Sequence, residues 1–183
     1  VKHKFPVEFV GHPLIDAIHN QSGVDANTFR TENQLSEKPI IAILPGSRKQ
    51  EISKMLSVML SVVKDFPDYQ FVIAGAPSQE LSFYQQFISG ENIKFISNKT
   101  YALLRNATAA LVTSGTATLE TALFKVPEVV CYKGSWASYQ IAKRVITLKY
   151  ISLVNLIMDR EVVKELIQDE FNTKNLKIEL AKI

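Results

Sequence analysis

The feature that most constrains this chain is a steady exchange between short, continuously apolar runs and longer segments with helical spacing. Ile40–Leu44, Gln70–Ala74, Ile93–Ile96, Ala109–Thr113 and Glu128–Tyr132 are short runs rich in β-branched residues. Such runs suit central parallel strands that are covered on both faces. Between the first two, Ile52, Met55, Leu56, Met59, Leu60 and Val63 recur at three- and four-residue intervals and form one apolar stripe of a helix. That helix is predicted to stop near Asp65, ahead of Pro67. Further helices are expected at Gln79–Ile88, Thr100–Arg105, Thr116–Phe124, Ser138–Thr147 and Glu161–Gln168. Strands and helices in this alternation, joined by short connections, predict a doubly wound, mainly parallel α/β sheet of Rossmann-like style.

The 183 residues suffice for one well-buried domain but not for two full ones. Residues 1–38 are poorer in pattern and are expected to be an interdomain crossover, with residues 39–183 forming the domain. The chain opens without a methionine and closes on LKIELAKI, still in helical register, so both ends are expected to be cuts in a longer protein. A net charge of +3 is too weak a bias to argue for nucleic acid. No apolar run reaches the roughly 18 residues of a membrane span. The single cysteine, Cys131, lies in a strand-like run and reads as a buried structural thiol rather than a nucleophile. His3, His12 and His19 lie near no cysteine or paired carboxylate, so no metal site is expected.

Ligands of doubly wound sheets sit beyond the C-terminal ends of the strands, where loops feed helix N-termini. The first such loop is Leu44-Pro45-Gly46-Ser47-Arg48-Lys49-Gln50-Glu51. Ser47 and Gln50 have capping-box spacing, which makes Ser47 the expected N-cap. Unpaired amides, the helix dipole and the Arg48 guanidinium together suit an anion. A capped helix with two solvated basic residues fits the same pattern, and neither a Walker loop nor a Gly-x-Ser-x-Gly elbow is present.

The second loop is Thr113-Ser114-Gly115-Thr116-Ala117-Thr118-Leu119-Glu120. Gly115 admits a ligand close to the backbone, and Thr116 and Glu120 share one helix face. A carboxylate one turn into such a helix suits a ribose diol, although it also simply favours the dipole. A third stretch, Tyr150–Ile157, is apolar apart from Asn155, whose amide needs partners from the backbone or from a ligand. Upstream, Trp136, Tyr139, Ile141, Ala142, Val145 and Ile146 are interleaved with Lys133, Lys143 and Arg144. That mixture suits ordinary packing with a basic edge, or contact with an anionic membrane surface or phosphate.

Taken in order, four segments resemble the motifs of the lipid-A-disaccharide synthase family. They are Phe9–Leu14, Leu44–Arg48 with Glu51, Thr113–Glu120 and Tyr150–Asn155, and Val162–Glu170 continues the likeness. The resemblance implies the donor-binding, C-terminal half of a GT-B enzyme, whose two Rossmann-like domains face a cleft. It implies transfer of 2,3-diacylglucosamine from its UDP donor to 2,3-diacylglucosamine 1-phosphate, with inversion, release of UDP, and no metal or cofactor. By the same resemblance, Gly46, Ser47 and Arg48 face the donor diphosphate, with Arg48 stabilising the leaving group. Ser114, Gly115 and Thr116 form the phosphate-proximal turn, Glu120 holds the ribose, Asn155 lies in the donor site, and Gln168 lies near the uridine pocket. The family usually has proline where this chain has Val154.

The resemblance places the general base in an N-terminal domain of the same protein. It also implies cytoplasmic work against the inner membrane, and a homodimer. Two other readings fit the loops: a UDP-sugar epimerase of the same architecture, and a non-catalytic nucleotide-binding module.

Overall fold

The computed structural model describes residues 8, 11–20, 23, 25–90, 92–134 and 149–183. The helix expected at Ser138–Thr147 and the mixed basic and apolar stretch from Trp136 to Ile146 lie outside the described residues, as do His3 and Phe9.

Among the described residues, six strands form one sheet: β1 (Ile40–Leu44), β2 (Gln70–Gly75), β3 (Ile93–Ser97), β4 (Ala107–Thr113), β5 (Glu128–Tyr132) and β6 (Lys164–Ile167). Every neighbouring pair is parallel, in the order β3-β2-β1-β4-β5-β6. This is the Rossmann-like order, and it reverses direction between β1 and β4.

Side chains alternate across the strands, so each strand supplies two cores. On one face, Ile41, Ile43, Phe71, Ile73, Leu111 and Val129 pack with Ile52, Met55, Leu56 and Met59 of α3 (Lys49–Leu60). On the other, Ile40, Ala42, Val72, Ala110 and Val112 pack with Leu103 and Leu104 of α5 (Thr100–Asn106). Both faces of the central strands are thus dry, which accounts for their unbroken apolar sequence. Cys131 is buried in the first core, where burial and the neighbouring Glu128 push its thiol pKa up, as suits a structural thiol.

In the stretch expected to be a crossover, two short helices form, α1 (Pro13–His19) and α2 (Ala26–Glu32). α1 buries no residue, and the His12 side chain caps it by accepting from the Leu14 amide at 3.2 Å. α2 buries Phe29, which joins Leu35 in the second core. The remaining α-helices among the described residues are α4 (Leu81–Gln85), α6 (Thr116–Leu123), α7 (Leu153–Met158) and α8 (Thr173–Leu180).

The helix expected over Glu161–Gln168 is instead strand β6. Lys164–Ile167 pairs in register with Val129–Tyr132, and Leu166 enters the first core. The free edge of β5 supplies a ladder that local helical spacing does not foresee, and the β-branched pair Val162-Val163 suits an extended entry. A single 3-10 turn, Gln168–Glu170, follows the strand.

Candidate functional site

The strand order brings the loops after β1 and β4 side by side at the reversal point, with the loop after β2 beside them. They enclose a cleft of about 410 Å³, lined by Gly46, Ser47, Arg48, Ser114, Gly115, Thr116 and Glu120 together with Gly75, Pro77 and Thr100. Seven of the nine residues singled out from the sequence therefore meet in one hollow.

The first loop is built on Gly46, whose φ of +104° belongs to the region that favours glycine. An added Cβ there would lie 2.7 Å from Glu51 Cδ. Gly46→Ala is therefore expected to displace Glu51, lower the melting temperature by several degrees and weaken any anion held by the loop. Thermal melting and nucleotide titration of the variant test this; a wild-type profile in both would refute it.

The expected Ser47 cap is corrected: Arg48 occupies the N-cap position of α3, and no side chain caps the helix. Glu51 reaches back instead and accepts from the Ser47 amide at 3.2 Å. The bond falls one residue before the N-cap, so it fixes the turn into the helix, and no side chain caps the first amides of α3.

In the second loop, Ser114 is committed to structure. Its amide donates to the Cys131 carbonyl at 3.1 Å and its hydroxyl to the Ile151 carbonyl at 2.9 Å. Gly115 and Thr116 are exposed, and nothing lies within 4 Å of a Cβ added at Gly115. Open space over the N-terminus of α6 is the room an anion needs.

Glu120 sits one turn into α6, where the Tyr101 hydroxyl donates to its Oε1 at 2.8 Å. Burial, and then Glu120 itself, push the Tyr101 pKa up to about 12, so the phenol keeps the proton it donates. One carboxylate oxygen is thereby fixed, and the other has no such donor among the described residues. Sequence reading missed Tyr101, which is nineteen positions from its partner and carries no motif. It also missed the β2 loop, which Tyr84 pins by accepting from the Ala76 amide at 2.9 Å. The signal there was Gly75-Ala76-Pro77 at the end of a predicted strand.

Asn155 and Gln168 are not on the cleft. Asn155 is fully buried, and its amide is saturated. Nδ2 donates to the Val163 carbonyl and to Glu165 Oε1, each at 2.8 Å, while Oδ1 accepts from the Val162 and Val163 amides at 2.7 and 3.0 Å. Glu165 also accepts from the amides of Ile151 and Ser152 and from the Ser152 hydroxyl. Ser152 in turn caps α7 through the Asn155 amide. This network holds the start of α7 around Val154. Gln168 follows the edge strand at a φ of +53°, and its Nε2 is buried with no partner among the described residues.

A sequence model of the lipid-A-disaccharide synthetase family matches residues 1–183. The chain belongs to that family.

Among lipid-A-disaccharide synthases, that of Idiomarina loihiensis is 35% identical over 193 residues, covering 100% of this chain and 50% of the relative. That of Coxiella burnetii is 36% identical over 174 residues, covering 92% and 46%. The chain thus spans about half the length of the curated relatives it matches. In fold it is similar to Anabaena HepE, solved in complex with UDP-glucose, at a TM-score of 0.57, 9% identity and coverage of 91% of this chain and 44% of that one. It is likewise similar to the UDP-GlcNAc 2-epimerase of Methanocaldococcus jannaschii, solved with UDP-GlcNAc and UDP, at 0.54, 14%, 91% and 43%. Among the described residues, no group of side chains suits a metal ion, and no helix is long and apolar enough to cross a membrane.

Proposed function

We propose that this member of the lipid-A-disaccharide synthetase family is the UDP-sugar-binding half of a GT-B glycosyltransferase. In this reading residues 39–183 are the donor domain, residues 1–38 lead into it, and an N-terminal domain of the same protein supplies the general base. The reaction passes 2,3-diacylglucosamine from UDP to the hydroxyl of a 2,3-diacylglucosamine 1-phosphate acceptor. Two lipid substrates favour work at the cytoplasmic face of a membrane, in a monomer or a homodimer.

The observation that carries the proposal is the meeting of two helix N-termini, the Arg48 guanidinium and the Glu120 carboxylate in a single cleft at the sheet's reversal point, with Glu51 engaged by the Ser47 amide at its edge. The free oxygen of Glu120 accepts from the ribose diol, while Tyr101 holds the other oxygen. The α6 amides beyond Gly115 and Arg48 face the diphosphate. As the glycosidic bond to UDP breaks, negative charge grows on that diphosphate. A fixed guanidinium and amides that need no reorganisation stabilise it more than they stabilise the bound donor. Ser114 acts through its backbone position, since its own polar groups are already bonded.

Calorimetric titration with UDP tests this reading. Arg48→Ala and Glu120→Ala are each expected to weaken UDP roughly ten- to a hundredfold, the range of one lost charge-assisted hydrogen-bond set. Melting temperature should hardly change in Arg48→Ala, whose side chain is exposed, and should fall slightly in Glu120→Ala, where the Tyr101 hydroxyl loses its acceptor. Unaltered UDP affinity in both variants would remove the cleft from the donor site. Disaccharide synthesis should require the N-terminal domain, and epimerisation of UDP-GlcNAc by the full-length protein would favour the epimerase reading instead.

A further inference from the structure

A second hollow lies on the other side of the α3 N-terminus, toward the end of β5. It measures about 320 Å³, at the lower end of the roughly 300–1,000 Å³ of ligand pockets. We propose that it is a second anion subsite, one that takes a phosphate monoester while the Glu120 cleft is occupied by a different ligand.

Three observations carry this. First, the lining gathers Arg48, Lys49, Lys54 and Lys133 against the single carboxylate of Glu51. The Lys49 ammonium lies over the Phe83 ring at 5.3 Å, and Glu51 already accepts from the Ser47 amide. Arg48, Lys54 and Lys133 take part in none of the ion pairs among the described residues. Four cations gathered against one carboxylate raise the local positive potential and favour an anion between them.

Second, Thr113 closes β4 between the two hollows and lines both. It is 3% exposed, and its hydroxyl has no hydrogen-bond partner among the described residues. A buried hydroxyl left unpaired is destabilising, so such a group marks the place of a partner that arrives from outside the protein. Third, α3 is a twelve-residue helix whose N-cap supplies no side-chain bond, which leaves its first amides for a ligand. Guanidinium, ammonium, hydroxyl and amide are all donors, and a phosphate monoester is all acceptor at neutral pH.

Arg48 stands between the hollows and lines both, so one guanidinium would face the groups held in each. Two phosphorylated ligands would then be held side by side with the charge of both shared through one residue.

The test uses the protein at its full natural length. Inorganic phosphate and glucosamine 1-phosphate are titrated by calorimetry with the protein already saturated with UDP. Both are expected to bind alongside UDP. A tighter ester assigns the subsite to a sugar phosphate, and equal affinity assigns it to the free anion. Lys54→Ala and Lys133→Ala are each expected to weaken this binding about tenfold. Thr113→Val replaces a buried unpaired hydroxyl with an isosteric methyl, so it should fold at least as well and lose about threefold in affinity. The proposal is overturned if UDP displaces phosphate, or if affinity ignores both lysines. Lysine-dependent phosphate binding in a protein that fails to bind UDP would sink the donor assignment and leave the subsite standing.

Discussion

Asn155→Ala is expected to lower folding stability by roughly 3–4 kcal/mol, read as a lower urea midpoint at unchanged slope. The truncation removes four side-chain hydrogen bonds in one step. It also leaves the buried Glu165 carboxylate short of a donor and the Val162 and Val163 amides short of an acceptor. Breaking one partner of a buried charged network is among the few single changes with effects of this size.

The same change should reach the cleft. Glu165 holds the Ile151 and Ser152 amides, and the Ile151 carbonyl holds the Ser114 hydroxyl beneath the α6 turn. Loss of Asn155 is therefore expected to reduce UDP affinity by way of Ser114, in step with lost stability, whereas Arg48→Ala reduces affinity alone. Glu165→Gln should reproduce the coupled loss. If Asn155→Ala unfolds like the parent chain yet binds no UDP, the amide touches the ligand directly and the positioning account fails.

Glu128→Gln is expected to stabilise the fold at neutral and alkaline pH by an amount on the order of 3 kcal/mol at pH 7. Glu128 opens β5, is 3% exposed, and neither carboxyl oxygen has a partner among the described residues. Desolvation raises its pKa from 4.5 to about 9. Below pH 4.5 the folded and unfolded chains both hold the proton, and Glu128 imposes no ionisation penalty. Between 4.5 and about 9 the unfolded chain releases a proton that the folded chain retains, so stability falls as pH rises, by about 1.4 kcal/mol per unit. Above the folded value the penalty no longer grows. Urea melts of the parent and of Glu128→Gln at pH 5, 7 and 9 should diverge steadily, with the variant the flatter. Parallel profiles would show that Glu128 finds a partner and stays ionised.

Local patterning was enough for much of this architecture. Strands β1 and β5 fall on the residues expected from their apolar runs, and α3 follows its stripe from Ile52 to Leu60, whereas Val63, expected in the same helix, lies in a separate 3-10 turn, Val63–Asp65. These elements are legible because each buries a continuous face, and burial imposes the period of the element on its own sequence. The two loops that meet in the cleft were legible for a related reason. Small residues and hydroxyls between a buried strand and a helix start have few structural alternatives, as Gly46 with its φ of +104° illustrates.

What escaped the sequence depends on partners distant along the chain. Glu161–Gln168 has helical spacing, yet Lys164–Ile167 becomes a strand because the edge of β5 is free to pair. Tyr101 has no signal until α5 and α6 lie side by side and its hydroxyl reaches Glu120. Asn155 shows the division most clearly. The sequence by itself determined that an amide stands in an apolar stretch and must be satisfied, and that two anion-ready loops follow two buried strands. Only the tertiary structure decided that Glu165 and the entry to β6 satisfy the amide, and that the strand order sets those loops against each other. A hydrogen-bonding requirement is a property of the residue, whereas its partner is a property of the packing.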